Sequence, residues 1–226
     1  MKKWNVLESA TTPDNCALTL SEHDGEYVLR VNGRELMSNM RHASELRLGE
    51  LGGIATAKKP KARIVIGGLG LGYTLRGALA KAGRTAEVIV AELMPEVVAW
   101  NRNPAYPLSH DLLLDPRTRL VVGDVFAVIR EGATNPAVAF DAILLDADNG
   151  TTAMMNAGNT QLYNDDGIAL VRSALSRSGL AVYWSAAPEP QLERAMKRLG
   201  FAVTVEVVRA YGSGGGRHYL VIGKKR

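Results

Sequence analysis

From residue 62 onward, short apolar runs alternate with stretches in which apolar residues recur every three or four positions. Strands leave the first pattern and amphipathic helices the second. The runs are "RIVIGG", "EVIVAEL", "RLVVG", "DAILLDA", "GLAVYWS", "AVTVEVV" and "HYLVIG". Several are continuous rather than alternating, as in a sheet covered by helices on both faces. Helices are predicted between them over Thr74–Ala82, Pro95–Asn101, Val125–Arg130, Tyr163–Leu175 and Glu189–Leu199. Pro95 suits a first helical turn, where its missing N–H has no partner to lose. Only "RAYGSGGGR" separates the last two strands, so they form an antiparallel pair around a hairpin loop at Gly212–Gly216. This order implies an α/β, mostly parallel sheet with one reversed strand at its C-terminal end.

The segment before it has a different rhythm. "CALTL", "EYVLRV" and "ELM" are short strand-like runs between residues 16 and 37, separated by His23-Asp24-Gly25 and by Asn32-Gly33. Asn-Gly between two such runs is a two-residue hairpin signal. So small an antiparallel piece does not stand alone and must pack on the main body or on another subunit. A helix is predicted in "MRHASELRLGELGG", with Ala43, Leu46, Leu48 and Leu51 on its apolar face and an end at Gly52-Gly53. The polar connector "TAKKPKA" follows. The division expected is therefore a β-meander with its helix over residues 1–53 and an α/β domain over residues 54–226.

Composition narrows the class. With 226 residues, 46% hydrophobic and 22% charged, the chain has material for one substantial domain and a small appendage, and global disorder is excluded. A formal net charge of +4 with scattered Lys and Arg gives no argument for a nucleic-acid partner, and Lys224-Lys225-Arg226 reads as a solvated tail. The single cysteine, Cys16, excludes an intrachain disulfide and a Cys-rich metal site. It fits a reducing cytoplasm. No apolar stretch follows Lys2 and Lys3, so no signal peptide is expected. No run approaches the ~18 apolar residues of a membrane span. A cytoplasmic protein without a membrane partner is expected.

The chemistry starts at "ARIVIGGLGLGYTLRG", residues 62–77. Gly68, Gly70 and Gly72 do not meet the G-x-G-x-x-G spacing of the dinucleotide fingerprint. Glycines still let backbone approach a ligand without a Cβ in the way, and they equally serve tight packing. About 20 residues past Gly72, Glu92 ends the next strand, where a carboxylate accepts both ribose hydroxyls. That suits nicotinamide and adenosyl nucleotides alike. Asp124 in "VVGDVF" ends the third strand. A carboxylate there accepts from an adenine amino group while the N–H of Val125 donates to a ring nitrogen. It is also a good helix N-cap, and the two roles coexist. Asp146 and Asp148 in "LLDADNG" lie at the C-terminal end of the fourth strand, where open α/β sheets place ligands.

In this order the residues resemble those of the spermidine synthase-like polyamine aminopropyltransferases, which share the class I S-adenosylmethionine-dependent methyltransferase fold. The resemblance runs through "VIGGLGLGYTLR", "VAELMPEVV", "DPRTRLVVGDVFAVI", "FDAILLDADNG" and "LYNDDGIALVRSALSRSGLAVYWS", after a small N-terminal β-domain. It implies a Rossmann-like class I methyltransferase fold and a donor that is decarboxylated S-adenosylmethionine, or S-adenosylmethionine itself, without a metal. By the resemblance, Gly68, Gly70, Gly72, Glu92, Leu93, Asp124, Val125 and Asp146 hold the donor. Asp146 and Asp148 orient and deprotonate the acceptor amine, and Asp148, Asn149 and Tyr163 line its site. A homodimer paired through the meander is implied as well.

Two departures from the family pattern stand out. Leu69 and Leu71 occupy the loop in which the family carries an acidic residue for the donor's amine. Asp146-Ala147-Asp148-Asn149-Gly150 replaces the family's Asp-Ser-x-Asp-Pro, so the second aspartate has become Asn149 and Asp148 stands one place early. A polyamine is cationic near neutral pH, so its pocket needs carboxylates to hold it and one to take a proton before in-line attack. Asp165 and Asp166 add charge nearby or form a solvated turn; Trp184-Ser185 lines the pocket or packs; His42 sits near the acceptor or is a satisfied histidine. His110 and His218 have no partners at metal-ligand spacing. Aminopropyl transfer to an amine is the leading reading. The alternatives are a methyltransferase on the same fold and a non-catalytic nucleoside-binding homologue. A nicotinamide oxidoreductase is disfavoured by the loop spacing, the place of Asp124 and the reversed last strand.

Overall fold

The computed structural model describes residues 3–146, 161–211 and 214–226. Two tight turns shape its N-terminal sheet. Asp24 and Gly25 have φ of 48° and 85°, and Asn32 and Gly33 have 49° and 77°, the positive pair that a two-residue hairpin requires. They join β2 (Ala17–His23), β3 (Glu26–Val31) and β4 (Arg34–Ser38) as antiparallel neighbours, His23 facing Glu26 and Val31 facing Arg34. An additional strand, β1 (Asn5–Thr11), pairs antiparallel with β2. The sequence pattern does not announce it, because an outer strand with no buried position needs no apolar alternation. Leu18, Leu20, Leu29 and Val31 pack against Met94, Val97, Trp100 and Leu108, so the small sheet is seated on the main body.

Among the described residues, the large sheet has seven strands: β5 (Arg63–Gly67), β6 (Glu87–Glu92), β7 (Thr118–Val122), β8 (Phe140–Leu145), β9 (Leu175–Ser185), β10 (Phe201–Tyr211) and β11 (Gly214–Lys225). Their order is β10-β11-β9-β8-β5-β6-β7, and β11 alone runs against its neighbours. The expected α/β sheet with a reversed C-terminal strand is therefore present. Alternate residues feed opposite faces. Ile64, Ile66, Val88, Val90, Ala142 and Leu144 point into one core, and Val65, Ile89, Ile143 and Leu145 into the other. The chain leaves β5 toward β6 on one side and β8 toward β9 on the other, so the strand order reverses between β5 and β8. Open α/β sheets bind ligands in the crevice at such a reversal.

The helices are α1 (Ala43–Thr56), α2 (Tyr73–Lys81), α3 (Pro95–Arg102), a single turn α4 (His110–Leu113), α5 (Val125–Thr134), α6 (Asp165–Ala174) and α7 (Pro190–Arg198). Two expectations need correction. The helix expected from Tyr163 starts at Asp165, because Asn164 caps it by accepting from the Gly167 N–H (2.9 Å), and Leu175 already belongs to β9. The first helix does not stop at Gly52-Gly53 but continues to Thr56, so the boundary expected between residues 53 and 54 falls inside it.

Those glycines are packing devices rather than a stop signal. A Cβ on Gly49 would lie 2.0 Å from the Thr74 carbonyl oxygen, and one on Gly53 would lie 2.7 Å from that of Ala78. From the facing helix, a Cβ on Gly77 would lie 2.1 Å from the Leu46 carbonyl oxygen. Backbone meets backbone along the α1–α2 seam. Gly49→Ala is accordingly expected to lower the free energy of unfolding by about 3 kcal/mol. Gly216→Ala, built into open space, should change it by less than about 0.5 kcal/mol. Denaturant titration of both variants checks the pair, and equal midpoints would contradict the seam.

Candidate functional site

The turn after β5 is built on left-handed backbone. Gly68, Gly70 and Gly72 have φ of 99°, 51° and 84°, angles that side chains other than glycine adopt at a cost. The space beside each is already taken by protein. A Cβ would meet the Asp146 carbonyl oxygen at 2.9 Å from Gly68, Met37 Sδ at 2.5 Å from Gly70, and Ser109 Cβ at 2.3 Å from Gly72. Turn geometry and close packing therefore both demand these glycines, whether or not a ligand lies above them. Leu69 and Leu71 are 2% and 3% exposed. The first packs in the core under α1 and α2, the second against the small sheet.

Glu92 holds that turn. Its Oε2 accepts from the Leu69 N–H and its Oε1 from the Met94 N–H, both at 2.8 Å, and the residue is 7% exposed. Burial pushes its carboxyl pKa up, and the N–H groups of Met94, Leu69, Gly70 and Leu93 oppose that rise without cancelling it. A carboxylate has about four acceptor positions, so capacity remains for donors on a ligand. Leu93, the next residue, is 37% exposed at the same sheet edge. The Gly123 N–H reaches the Glu92 carbonyl (2.8 Å) and brings the end of β7 alongside. There Asp124 caps α5, its Oδ1 accepting from the Phe126 N–H at 2.8 Å, while Val125 is buried beneath. The capping role is thus realised, on an exposed carboxylate at the edge of the crevice.

Across the strand-order reversal, the Asp146 N–H donates to the Gly67 carbonyl (3.1 Å), and the Thr74 hydroxyl lies 2.5 Å from Asp146 Oδ2. Sequence reasoning did not single out Thr74, since a threonine in the first turn of a helix carries no signal of its partner. Beside this pair lies a buried polar cluster that it also missed. Ser44 Oγ is 2.5 Å from Glu45 Oε2, 2.7 Å from His218 Nδ1 and 3.0 Å from Trp184 Nε1. Burial raises the Glu45 pKa against the hydrogen bond from Ser44, and burial lowers that of His218. Trp184 therefore packs, with its ring 4.8 Å from the His218 ring and its N–H satisfied.

The remaining candidates separate. Asp148 and Asn149 lie outside the described residues. Tyr163 is half-buried in the turn before α6, edge-on to the Tyr183 ring at 5.4 Å. Asp165 pairs with Arg198 (2.7 Å) at the surface. His42 is a satisfied histidine, with Nδ1 2.7 Å from the Asn39 carbonyl and its ring stacked on Tyr73 at 3.9 Å. Gly68, Gly70, Gly72, Glu92, Leu93, Asp124 and Asp146 share the C-terminal edge of the parallel strands. Among the described residues, no group of three or more His, Cys, Asp or Glu could hold a metal ion, and no helix is long and apolar enough to cross a membrane.

No family model matches the chain. It is 28% identical over 147 residues to the polyamine aminopropyltransferase of Mycobacterium tuberculosis, covering 62% of this chain and 27% of that protein. It is 28% identical over 129 residues to the polyamine aminopropyltransferase of Pyrobaculum calidifontis, covering 57% of this chain and 43% of that protein. The chain thus spans less than half the length of these curated relatives. Among solved structures, a spermidine synthase in complex with the transition state analogue AdoDATO superposes with a TM-score of 0.79 at 18% identity, covering 98% of this chain and 74% of that one. The spermidine synthase of Thermotoga maritima gives 0.76 at 18%, with coverage of 98% and 73%. The fold is that of the spermidine synthases, the class I methyltransferase-like architecture that the motif order implies.

Glu92→Gln turns one acceptor oxygen into an N–H donor facing an N–H. Hydrogen exchange at the Leu69 or Met94 amide should then accelerate about ten-fold or more, with the Val182 amide of the sheet core unaffected. Because burial holds the folded-state pKa of Glu92 above its unfolded value, its ionisation costs stability as pH rises through the window above ~4.3. Glu92→Gln should therefore flatten the decline of stability across that window. Unchanged exchange at both amides, or an unchanged slope, would contradict the assignment.

Proposed function

We propose that this chain is an aminopropyltransferase that moves the aminopropyl group of decarboxylated S-adenosylmethionine onto a small amine. The observation that carries this reading is the spacing of Glu92, Asp124 and Asp146 along one sheet edge, centred on the reversal between β5 and β8. The similarity to polyamine aminopropyltransferases supports it, as does the AdoDATO complex of a spermidine synthase with this fold.

In this reading Glu92 accepts from the ribose hydroxyls with the positions that Leu69 and Met94 leave open, and the exposed Leu93 side chain covers the base. Asp124 accepts from the adenine amino group. The donor supplies a carbon activated by its sulfonium. An acceptor ammonium first gives a proton to Asp146. The neutral nitrogen then attacks that carbon, a C–N bond forms, the C–S bond breaks, and its electron pair stays on sulfur, leaving methylthioadenosine. The protein's part is to align the amine and take its proton. Asp148, Asn149 and Tyr163 complete the acceptor side. The reading includes a homodimer, supported by the exposed Trp4, Val6 and Met40 of the N-terminal segment, and a cytoplasmic setting, supported by the free cysteine Cys16.

Incubation with decarboxylated S-adenosylmethionine and a panel of linear amines is expected to release methylthioadenosine. Asp146→Asn should slow that release about 100-fold, because a general base contributes on that order. Adenosylhomocysteine formed from S-adenosylmethionine would instead indicate methyl transfer. Binding without any nucleoside product would indicate a non-catalytic homologue. Either result overturns the reading.

A further inference from the structure

The hydrogen-bond geometry of Thr74 bears on how Asp146 works. Thr74 is 1% exposed, so water does not compete for its hydroxyl. Its Oγ1 lies 2.5 Å from Asp146 Oδ2 and 3.2 Å from the Glu45 carbonyl oxygen. A hydroxyl has one hydrogen and two lone pairs. With Asp146 ionised, that hydrogen goes to Oδ2. With Asp146 protonated, the carboxyl O–H donates to Thr74 Oγ1, and the Thr74 hydrogen turns to the Glu45 carbonyl. Neither state strands a buried polar atom, which would otherwise oppose one of them.

Glu92 provides the contrast within the same site. Its two oxygens face backbone N–H groups, which only donate and so support only the ionised form. Asp146 Oδ2 faces a group that serves either form. The position of that group is also fixed. Thr74 is the second residue of α2, and its carbonyl stands where a Cβ on Gly49 would be, at 2.0 Å. The α1–α2 seam therefore holds the backbone that carries the hydroxyl.

We propose that Thr74 is a positioning residue that keeps the Asp146 carboxyl in one place while it passes between carboxylate and carboxylic acid. The proposal rests on the reading of Asp146 as the acceptor of the amine's proton. In that step an ammonium N–H bond breaks, its hydrogen moves to an Asp146 oxygen, and the electron pair remains on nitrogen. Asp146 later returns the proton to water. Among the described residues, the ionisable groups on the surrounding elements have partners of their own. Glu45 of α1 faces Ser44, His218 of β11 faces Ser44, and Glu92 of β6 faces backbone. Tyr73 of α2 stacks on His42, and Glu189 beyond β9 approaches Ser185 at 3.4 Å.

The test is a carbon-13 titration of the aspartate carboxyls, with the Asp146 resonance assigned by its loss in Asp146→Asn. Thr74→Val keeps the shape and removes the hydroxyl, Thr74→Ala does so without the second methyl, and Thr74→Ser retains it. The charge-assisted bond to the carboxylate is stronger than the neutral bond to the acid, so losing the hydroxyl should raise the Asp146 pKa by about one unit in Thr74→Val and Thr74→Ala. Thr74→Ser should titrate as the parent does, and the acid limb of kcat/KM should move with the carboxyl. An unchanged Asp146 titration in both hydroxyl-free variants, or a shift in Thr74→Ser equal to theirs, would overturn the proposal. The titration is read without turnover. A shifted titration in a protein that releases no methylthioadenosine supports the Thr74–Asp146 pairing and overturns the transferase reading instead.

Discussion

The buried Glu92 carboxylate, with one oxygen on the Leu69 amide and the other on the Met94 amide, ties two loops from different strands to a single charge. Through Leu69 it sets the glycine turn between β5 and α2. Through Met94 it sets the start of α3, and α3 is the surface on which the small sheet rests. Its backbone carbonyl also accepts from Gly123, which brings the Asp124 cap alongside. Burying a carboxylate is costly, and here the backbone amides of two loops offset part of that cost. The edge of the sheet is consequently arranged around a buried acceptor.

The opposite half of the crevice depends on a steric constraint. Gly49, Gly53 and Gly77 let α1 and α2 approach with backbone in contact. That approach places the first turn of α2 against Glu45 on one side and Asp146 on the other, with Thr74 bridging them. Met37 reaches from β4 to the same turn, its sulfur 3.1 Å from the Leu71 nitrogen. The N-terminal sheet is thus part of the loop's support rather than a separate appendage. Rigid support of this kind suits the proposed transfer, because an in-line displacement asks the protein for little beyond orientation and a place for one proton.

Much of this was legible in the residues. Continuous apolar runs such as "DAILLDA" reported strands buried on both faces, Asp-Gly and Asn-Gly reported the two hairpins, and the connection "RAYGSGGGR", too short for a helix, reported the reversed strand. Glu92, Asp124 and Asp146 were legible because each stands at or just past the end of a strand, and the parallel order carries those ends to one edge. Other features were not. Gly52-Gly53 has the same letters as a helix stop, and only the facing helix shows that its lack of Cβ is used for contact. Leu69 and Leu71 sit in the glycine loop, yet their side chains turn into two different cores. Ser44, Glu45, Trp184 and His218 come from α1, β9 and β11, so no local spacing in the chain reveals that they meet.

In the proposed reading, Glu92, Asp124 and Asp146 form one nucleoside-binding edge that presents an activated carbon to an amine. A crystal structure of the protein with methylthioadenosine tests it most directly. Ribose hydroxyls are expected on the Glu92 carboxylate, the adenine amino group on Asp124, and the sulfur pointing toward Asp146. A nucleoside bound elsewhere, or bound with its ribose away from Glu92, would contradict it.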